Sequence, residues 1–273
     1  MAKRVGFQGE RGAYSEMAAR AALGEDIELV PNRSFAEVFE GVQTGRDDLG
    51  IIAIENSLAG SIHGNYDLLL RYTLHIVGET QLRVEHCLIA NPGVKLEDVK
   101  IVRSHPQALA QCDGYLRKLG VEIKPAYDTA GSVNDLRASG ARDEAAIASQ
   151  WAAEVYQMSV LDNGIEDDRD NYTRFLFLST APIAEAPATA KTSIVFALQN
   201  KPAALFRALA CFALRDIDLT KIESRPIPGS RWDYRFYLDF IGSQQDGPGR
   251  LALSQLSEMS TEMRILGTYP RSV

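Results

Sequence analysis

A chain of 273 residues, 45% hydrophobic and 24% charged, is long enough for one large domain or two ordinary ones with full hydrophobic cores. Its net charge of -7 disfavours a nucleic-acid-binding surface, because phosphate binding requires clustered Lys and Arg. No apolar run approaches the length needed to span a bilayer, so the composition predicts a soluble globular protein without a membrane anchor.

The cysteines and histidines do not follow the pattern of a disulfide framework or a metal site. The three cysteines lie far apart in the sequence and are predicted to be reduced, buried thiols: Cys87, Cys112 and Cys211. The four histidines lack the spacing that places two ligands on one helix face: His63, His75, His86 and His105. We interpret each histidine as a packing or hydrogen-bonding residue, and we predict no metal.

The N-terminal segment MAKRVGFQGERG leads almost directly into a predicted strand. It contains neither the apolar region of a signal peptide nor the Arg- and Ser-rich amphipathic pattern of a transit peptide. A cytoplasmic location is therefore predicted.

Residues 1–180 alternate short apolar runs with segments of helical periodicity. Strands are predicted for RVGFQG, IELVP, LGIIAIENS, LHIVGE, QLRVEHCLIA, VKIVRS, VEIKPAYD and AAIAS. Helices are predicted for YSEMAARAAL, SFAEVFEGVQTG, residues 106–119 and a short segment after Thr129. This alternation is typical of an α/β domain, and the spacing of the strands fits two lobes.

The second predicted helix carries clear boundary signals. Ser34 and Glu37 have the spacing of a capping box, and Gly45 is a stop signal. Its apolar residues share one face: Phe35, Val38, Phe39 and Val42.

Residues 181–191 are rich in Ala and Pro without periodicity and are predicted to be a linker. Beyond the linker, strands are predicted at 192–199, 219–227, 232–241 and 264–269. Helices are predicted at 202–214 and 249–263. This order is that of a ferredoxin-like βαββαβ module, so residues 192–273 form a predicted small α+β domain.

Four loops of the α/β part follow predicted strands: GFQGERGAYS, IENSLAGSIHGN, SHPQ and DTAGS. In open α/β sheets, ligands bind beyond the carboxyl ends of the strands. The loops offer backbone N–H groups and hydroxyls that suit a carboxylate at a helix N-terminus. Each also has a purely structural interpretation: Ser104 and Gln107 have capping-box spacing, and Asp128 or Thr129 is an ordinary N-cap.

The stretch EDDRDNYTRFLFLS, residues 166–179, places four acidic residues before an apolar strand. In a regular strand, Thr173 and Phe175 face one side and Arg174 the other. We therefore expect either irregular backbone here, or Thr173 facing a ligand while Arg174 pairs with Asp167, Asp168 or Asp170 to brace the loop.

Seven segments together resemble the prephenate dehydratase family with its C-terminal ACT regulatory domain. They are GERGAYSEMAA, ENSLAGSIHGNYDLLL, SHPQALAQC, DTAGS, AAIAS, NYTRF and KIESRP, and they run in this order from residue 9 to residue 226. The resemblance implies a catalytic domain at 1–180 with two α/β lobes like a type II periplasmic binding protein, and an ACT domain at 192–273. Some of these segments are especially similar to the arogenate dehydratases of the same family.

The resemblance also implies functional residues. In NYTRF, Thr173 matches the threonine essential for dehydration, and Arg174 and Phe175 complete the motif. The matching substrate-binding positions are Asn56, Ser57, Ser104, Gln107 and Thr129. The family's TAGAA is TAGSV here, with Ser132 and Val133 at the alanine positions, a departure that bears on a keto or an amino substrate.

In the C-terminal part, KIESRP matches the segment that binds phenylalanine in ACT domains and implicates Glu223, Ser224 and Arg225. The other effector element is a GAL turn, which corresponds to Ala203 and Leu205, with Ala203 at the glycine position. The resemblance implies feedback regulation by phenylalanine and a homodimer or homotetramer formed through the ACT domains.

The implied reaction is loss of water and carbon dioxide from prephenate to give phenylpyruvate, with no cofactor; the alternative is an arogenate dehydratase that makes phenylalanine directly. We expect the Thr173 hydroxyl to donate a hydrogen bond to the leaving oxygen or to relay a proton. A non-catalytic sensor of aromatic or amino acids is the alternative from another class. A dinucleotide enzyme is disfavoured because the glycines at 6, 9 and 12 lack the fingerprint spacing.

Overall fold

The computed structural model describes residues 2–272, which form two compact units. The first unit combines the residues up to Leu68 with Thr80–Phe175, and the second combines Leu69–Glu79 with the residues from Leu176 onward. This division differs from the predicted one, because the chain leaves the first unit at Leu69 and returns to it at Thr80.

The first sheet is built from the N-terminal elements and one late strand. Its strands are β1 (Lys3–Gln8), β2 (Ile27–Asn32), β3 (Leu49–Asn56), β4 (Gly60–Ser61), β5 (His75–Arg83) and β11 (Tyr172–Ser179). The helices between them are α1 (Tyr14–Leu23), α2 (Phe35–Gln43) and α3 (His63–Arg71). The strand order is β2-β1-β3-β11-β5, with β4 paired to β3, and β1 is parallel to both β2 and β3.

Helix α2 shows how the local sequence sets an element. The backbone N–H of Glu37 donates to Ser34 Oγ at 3.3 Å, and the Glu37 carboxylate accepts from the backbone N–H of Arg33 at 2.9 Å. Val38, Phe39 and Val42 are buried, as the periodicity predicted. The predicted N-cap Ser34 and the buried positions Val38, Phe39 and Val42 are confirmed. The capping box is incomplete, because the Glu37 carboxylate bonds to the N–H of Arg33 and not to that of Ser34, and Phe35 is only partly buried.

The second sheet lies within the first unit. Its strands are β6 (Cys87–Ala90), β7 (Ile101–Ser104), β8 (Glu122–Pro125), β9 (Glu144–Ala148) and β10 (Ser159–Asn163), in the order β10-β6-β9-β7-β8. Its helices are a 3₁₀ turn at Leu96–Asp98, α4 (Pro106–Gln111), α5 (Asp113–Leu119), α6 (Thr129–Ser139) and α7 (Gln150–Tyr156). The parallel strands β7, β8 and β9 place the segments that follow them at one edge of the sheet.

Two predicted elements of this region differ from the structure. The helix predicted at 106–119 is two helices, because the backbone of Cys112 departs from helical geometry, with φ -117° and ψ 19°. The strand predicted for QLRVEHCLIA is interrupted after Arg83, where β5 ends, and β6 begins only at Cys87. The interruption contains His86, whose position is described below.

The C-terminal part has the predicted βαββαβ order. Its elements are β12 (Ala190–Leu198), α8 (Ala204–Ala213), β13 (Leu219–Pro226), β14 (Tyr234–Ile241), α9 (Gly247–Met259) and β15 (Ser260–Pro270). The strand order is β13-β14-β12-β15. Helix α9 ends four residues before the predicted position, and β15 begins there. The helices cover one face of the sheet around a core that includes Phe196, Phe212 and Phe240.

The segment Leu69–Glu79 is held to this module by polar contacts. Lys191 Nζ lies 2.9 Å from both carboxylate oxygens of Glu79, and this pair is buried. The Arg264 guanidinium donates to the carbonyl oxygens of Leu69, Tyr72 and Leu74 at 3.0–3.2 Å. These bonds explain why an early stretch of chain belongs to the C-terminal unit.

The three cysteines are free and buried, as predicted.

Candidate active site

A cavity of about 470 Å³ lies within the first unit. Its wall is formed by the loops after β1, β2, β3, β5, β7 and β8 and by the start of β11. The lining residues are Gln8, Gly9, Ala13, Tyr14, Ser15, Ser34, Phe35, Ala53, Asn56, Ile62, Val84, His86, His105, Gln107, Ala108, Gln111, Tyr127, Asp128, Thr129, Thr173 and Phe175. The four loops that the sequence singled out therefore contribute to one cavity.

Thr173 and Phe175 both line this cavity, and they alternate along β11 with Arg174. Regular strand geometry places Arg174 on the opposite face. The pairing of Arg174 with Asp167, Asp168 or Asp170 stays a prediction. The Thr173 side chain is nearly buried, and its hydroxyl oxygen accepts a hydrogen bond from Asn56 Nδ2 at 3.1 Å. Because the amide supplies the proton of this bond, the Thr173 hydroxyl still has its own proton to donate.

Two more amide side chains hold Asn56 in place. Asn56 Nδ2 also donates to Asn171 Oδ1 at 2.8 Å, and Asn56 Oδ1 accepts from the backbone N–H of Ala59 at 2.9 Å. Gln111 Nε2 lies 3.5 Å from Asn56 Oδ1 and 3.5 Å from Asn171 Oδ1. The orientation of the Asn56 amide is therefore fixed by several contacts. Its Nδ2 also lies 3.1 Å from the Tyr172 carbonyl oxygen, so its two protons are shared among three acceptors, of which Thr173 Oγ1 is one.

His86 connects the amide side chains of Asn56, Asn171 and Gln111 to Tyr14. His86 Nε2 is 3.0 Å from Gln111 Oε1. The Tyr14 hydroxyl, which has one proton to donate, lies 2.9 Å from His86 Nδ1 and 2.7 Å from the Glu85 carbonyl oxygen. Burial lowers the pKa of His86 below 6.5, although the bond to Gln111 and the nearby Glu166 carboxylate oppose this shift. Burial also raises the pKa of Tyr14 well above 10.0, so both side chains are neutral near pH 7.

The acidic loop before β11 is braced mainly through backbone groups. Glu166 accepts from the backbone N–H of His86 at 2.9 Å and lies 3.5 Å from the Arg83 guanidinium. Asp167 accepts from the backbone N–H of Gly114 at 3.0 Å, and Asp168 from that of Asp170 at 2.9 Å. The charges therefore position the loop that presents Thr173.

Ser57 joins the same loop and does not line the cavity. Its hydroxyl donates to the Asp170 carbonyl oxygen at 2.7 Å and accepts from the Tyr172 backbone N–H at 2.9 Å. Its side chain is engaged in structure, and it supports the segment just before Thr173.

The predicted capping box of SHPQ is wrong. Ser104 is fully buried, and its hydroxyl donates to the Ile147 carbonyl oxygen at 2.6 Å because Ser104 is the last residue of β7. His105 is the N-cap of α4 instead, with Nδ1 accepting from the backbone N–H of Gln107 at 3.2 Å. Gln107 and His105 line the cavity, whereas Ser104 does not.

Thr129 lines the cavity as the first residue of α6, and Asp128 is the N-cap of this helix. Ser132 and Val133 are buried and lie outside the lining residues. The Ser132 hydroxyl donates to the Asp128 carbonyl oxygen at 2.6 Å. The two departures from the family sequence therefore affect the helix interior and not the cavity wall.

The predicted effector residues lie in the second unit. Glu223 and Arg225 alternate with Ser224 on β13, an edge strand, so they occupy opposite faces of the sheet from Ser224. Ala203 is the N-cap of α8 and has φ 62°, a left-handed conformation. Leu205 lies in the first turn of α8 and is about one-third exposed. Thus the residue that matches the glycine of the family turn has positive φ in this chain.

The sequence reasoning missed Tyr14, His86, Gln111 and Asn171 as parts of the site. Gln111 lies four residues after Gln107, a spacing that places both on one helix face, so helical periodicity was an available signal. Asn171 lies in the NYTRF motif itself. His86 and Tyr14 carried no local signal, because their contact joins residues 72 positions apart.

Within residues 2–272, no group of three or more His, Cys, Asp and Glu side chains has the arrangement of a metal site. No helix in the same range is long and apolar enough to cross a membrane.

Comparison with known proteins identifies the family of this chain. The family model described as prephenate dehydratase matches residues 5–183. The chain is 50% identical to arogenate dehydratase/prephenate dehydratase 2, chloroplastic, of Arabidopsis thaliana, over 98% of this chain and 72% of that protein. It is similar to a solved prephenate dehydratase from Arthrobacter aurescens in complex with L-Phe, at 32% identity and a TM-score of 0.90, covering 98% and 90% of the two chains. It is also similar to the solved GqqA, described as a novel type of quorum quenching acylase, at 37% identity and a TM-score of 0.90, covering 99% and 98%.

Proposed function

Because this chain belongs to the prephenate dehydratase family, and is a decarboxylating dehydratase of phenylalanine biosynthesis, we propose that Thr173 supplies the hydroxyl that assists departure of the substrate's hydroxide. The observation that carries this assignment is the bond from Asn56 Nδ2 to Thr173 Oγ1 inside the cavity. In this bond the Thr173 oxygen is the acceptor, so its own proton is available for donation to a substrate in the cavity.

The reaction aromatises a cyclohexadiene ring. The bond between the ring and its carboxylate breaks to release carbon dioxide, and its electron pair enters the ring. The ring hydroxyl leaves as hydroxide, which takes one proton from solvent to become water. Aromatisation drives the reaction, so the protein has to hold the ring and assist the leaving group. A threonine hydroxyl is a poor acid, so it donates a hydrogen bond to the leaving oxygen instead of acting as a free general acid.

Phe175 lines the cavity on the same face of β11 as Thr173. An aromatic side chain offers the ring carboxylate no hydrogen bond, which favours loss of its charge as carbon dioxide. Asn56, Gln107 and Thr129, which also line the cavity, are proposed to contact the polar groups of the substrate.

Helix N-termini supply positive potential for the substrate's carboxylates. The first residues of α1 and α2 line the cavity, and both helices have eight or more residues. The N-cap of α1 is Ala13, which has no side chain able to accept the N–H groups of the first turn. Those groups and the helix dipole favour a bound carboxylate.

The C-terminal module is proposed to be an ACT regulatory domain that binds phenylalanine. Its βαββαβ order supports this proposal, and the Arthrobacter aurescens relative was solved with L-Phe. Ala203, Leu205, Glu223, Ser224 and Arg225 are the proposed effector residues, and a homodimer or homotetramer is the proposed assembly. A cytoplasmic location stays a prediction, and the name of the Arabidopsis relative places that protein in the chloroplast.

The function is tested by incubating the purified protein separately with prephenate and with arogenate. Phenylpyruvate and phenylalanine are quantified as products, each with and without added phenylalanine. Turnover that is suppressed by phenylalanine is the expected result. Binding of both compounds without turnover would instead identify a non-catalytic sensor.

A further inference from the structure

We infer that Asp128 selects substrates whose side chain carries an ammonium group, so that this protein prefers arogenate to prephenate. The inference rests on the proposed function and concerns the same cavity. It departs from the expectation that prephenate is the main substrate.

The charge of the cavity wall is the first observation. Among the described residues that line the cavity, Asp128 is the only Asp or Glu, and none is Lys or Arg. The two lining histidines, His86 and His105, both have a pKa lowered by burial below 6.5. The described wall therefore contains one acidic side chain and no Lys or Arg.

The second observation is that the Asp128 carboxylate is held in place. One of its oxygens accepts from the backbone N–H of Gly131 as the N-cap of α6. The other accepts from the backbone N–H of Glu10 at 3.3 Å. An ionised carboxylate has about four acceptor sites, so lone pairs are left for a ligand, and a fixed side chain loses little entropy on binding it.

The two substrates differ in the group that this carboxylate recognises. Prephenate carries two carboxylates and a side-chain ketone, which offers Asp128 no hydrogen-bond donor. Arogenate has an ammonium group in place of the ketone and can donate a charge-assisted hydrogen bond to Asp128. The N-termini of α1 and α2 are meanwhile suited to the carboxylates that both compounds contain.

Neighbouring charges do not change this arrangement. His105 lies close enough to Asp128 for their charges to interact, but its Nδ1 accepts from the backbone N–H of Gln107, a bond that requires an unprotonated nitrogen. Glu10 and Arg11 are exposed and are not lining residues. Asp128 is thus the charged group that faces the ligand.

The test compares kcat/KM for arogenate and prephenate in the wild type and in Asp128→Asn. Asn is an equally good N-cap, so the variant removes the charge and keeps the acceptor for Gly131. We expect kcat/KM for arogenate to fall about 10- to 100-fold while the value for prephenate is unchanged or rises. Asp128→Ser, which also keeps an N-cap, is the second variant if Asp128→Asn does not fold.

Asp246→Asn is the matched control. Asp246 is the N-cap of α9 in the other unit and accepts from the backbone N–H of Gly249 at 2.7 Å. This control should leave the ratio of the two kcat/KM values unchanged. If Asp128→Asn lowered kcat/KM equally for both substrates, or if the wild type preferred prephenate, the inference about Asp128 would be overturned while the proposed function would stand. A wild type that turns over neither substrate would overturn the proposed function first.

Discussion

The amide of Asn56 donates a hydrogen bond to the hydroxyl of Thr173 across 117 positions of sequence. The two residues lie at the end of β3 and at the start of β11, so the bond joins two strands of the first sheet. In this bond the Thr173 oxygen is the acceptor, and the proposed chemistry depends on the proton that the Thr173 hydroxyl keeps.

Removing the Thr173 hydroxyl should therefore remove most of the activity. We expect Thr173→Ala to lower kcat at least about 100-fold, the loss typical for one hydrogen-bond donor to a developing charge. The side chain is small, so the urea unfolding midpoint should change little. Thr173→Ser keeps the hydroxyl and should retain much of the activity. Near-normal turnover by Thr173→Ala would refute the assignment.

The buried His86 should make stability depend on pH. Its folded pKa lies below the unfolded value of 6.5. The stabilisation is complete above pH 6.5 and is lost as pH falls toward the folded pKa, because only the unfolded state takes up a proton in that window. Each unit of separation between the two pKa values corresponds to about 1.4 kcal/mol.

The measurement is urea unfolding of the wild type and His86→Gln at pH 7.5, 6.5 and 5.5. The free energy of unfolding of the wild type should fall more steeply with decreasing pH than that of the variant. His75 and His105, whose pKa values are also lowered by burial, are present in both proteins, so the difference reports His86. Parallel curves would show that His86 is not the source of the slope.

Lys191 and Glu79 form a buried ion pair in the C-terminal unit. Lys191→Met leaves a carboxylate buried without its cation and should cost about 3–5 kcal/mol of unfolding free energy. The double variant Lys191→Met/Glu79→Gln should recover more than half of that loss, because the uncompensated charge is gone. Denaturant unfolding of the two single variants and the double variant completes the cycle.

Arg117→Met serves as the surface comparison, since Arg117 and Asp113 form an exposed pair. Stability should hardly change in this variant. If Lys191→Met were equally harmless, the buried pair would have no importance for the stability of the unit.

Ala203 adopts a left-handed conformation that favours glycine. Ala203→Gly should stabilise the protein by roughly 0.5–1 kcal/mol, because glycine adopts this conformation without the steric cost of a Cβ. Ala204→Gly, one residue later and inside α8, should destabilise it by a similar amount. Thermal unfolding measures both shifts, and equal signs for the two variants would contradict the interpretation.

The order of elements could be predicted where periodicity is strong. The cap and buried face of α2 and the βαββαβ order were visible in the sequence, because local apolar spacing reports which face of an element is buried. The break at Cys112 was not visible, since a helical pattern continues on both sides of it. Backbone geometry at one residue leaves no trace in apolar spacing.

The residues of the candidate site were likewise only partly predictable from the sequence. The segments resembling the family located Asn56, Gln107, Thr129, Thr173 and Phe175, which the structure brings to one cavity. They could not show that Ser104 turns toward Ile147, because side-chain direction at a strand end depends on the neighbouring strand. Asp128 was considered only as an N-cap, since the charge of a cavity wall emerges after distant loops have converged.

The segment Leu69–Glu79 belongs to the second unit, although the chain before and after it belongs to the first. This limits where the protein can be truncated or fused to another protein. A break within residues 181–191 would remove the Lys191 ammonium from Glu79 and the Arg264 guanidinium from the end of α3. It would also remove Gly267, whose backbone packs closely against that of Ile76. A Cβ added at Gly267 would lie only 2.0 Å from the Ile76 carbonyl oxygen. Gene fusion could therefore not append or delete the C-terminal part of the chain at residues 181–191 without redesign of an early strand.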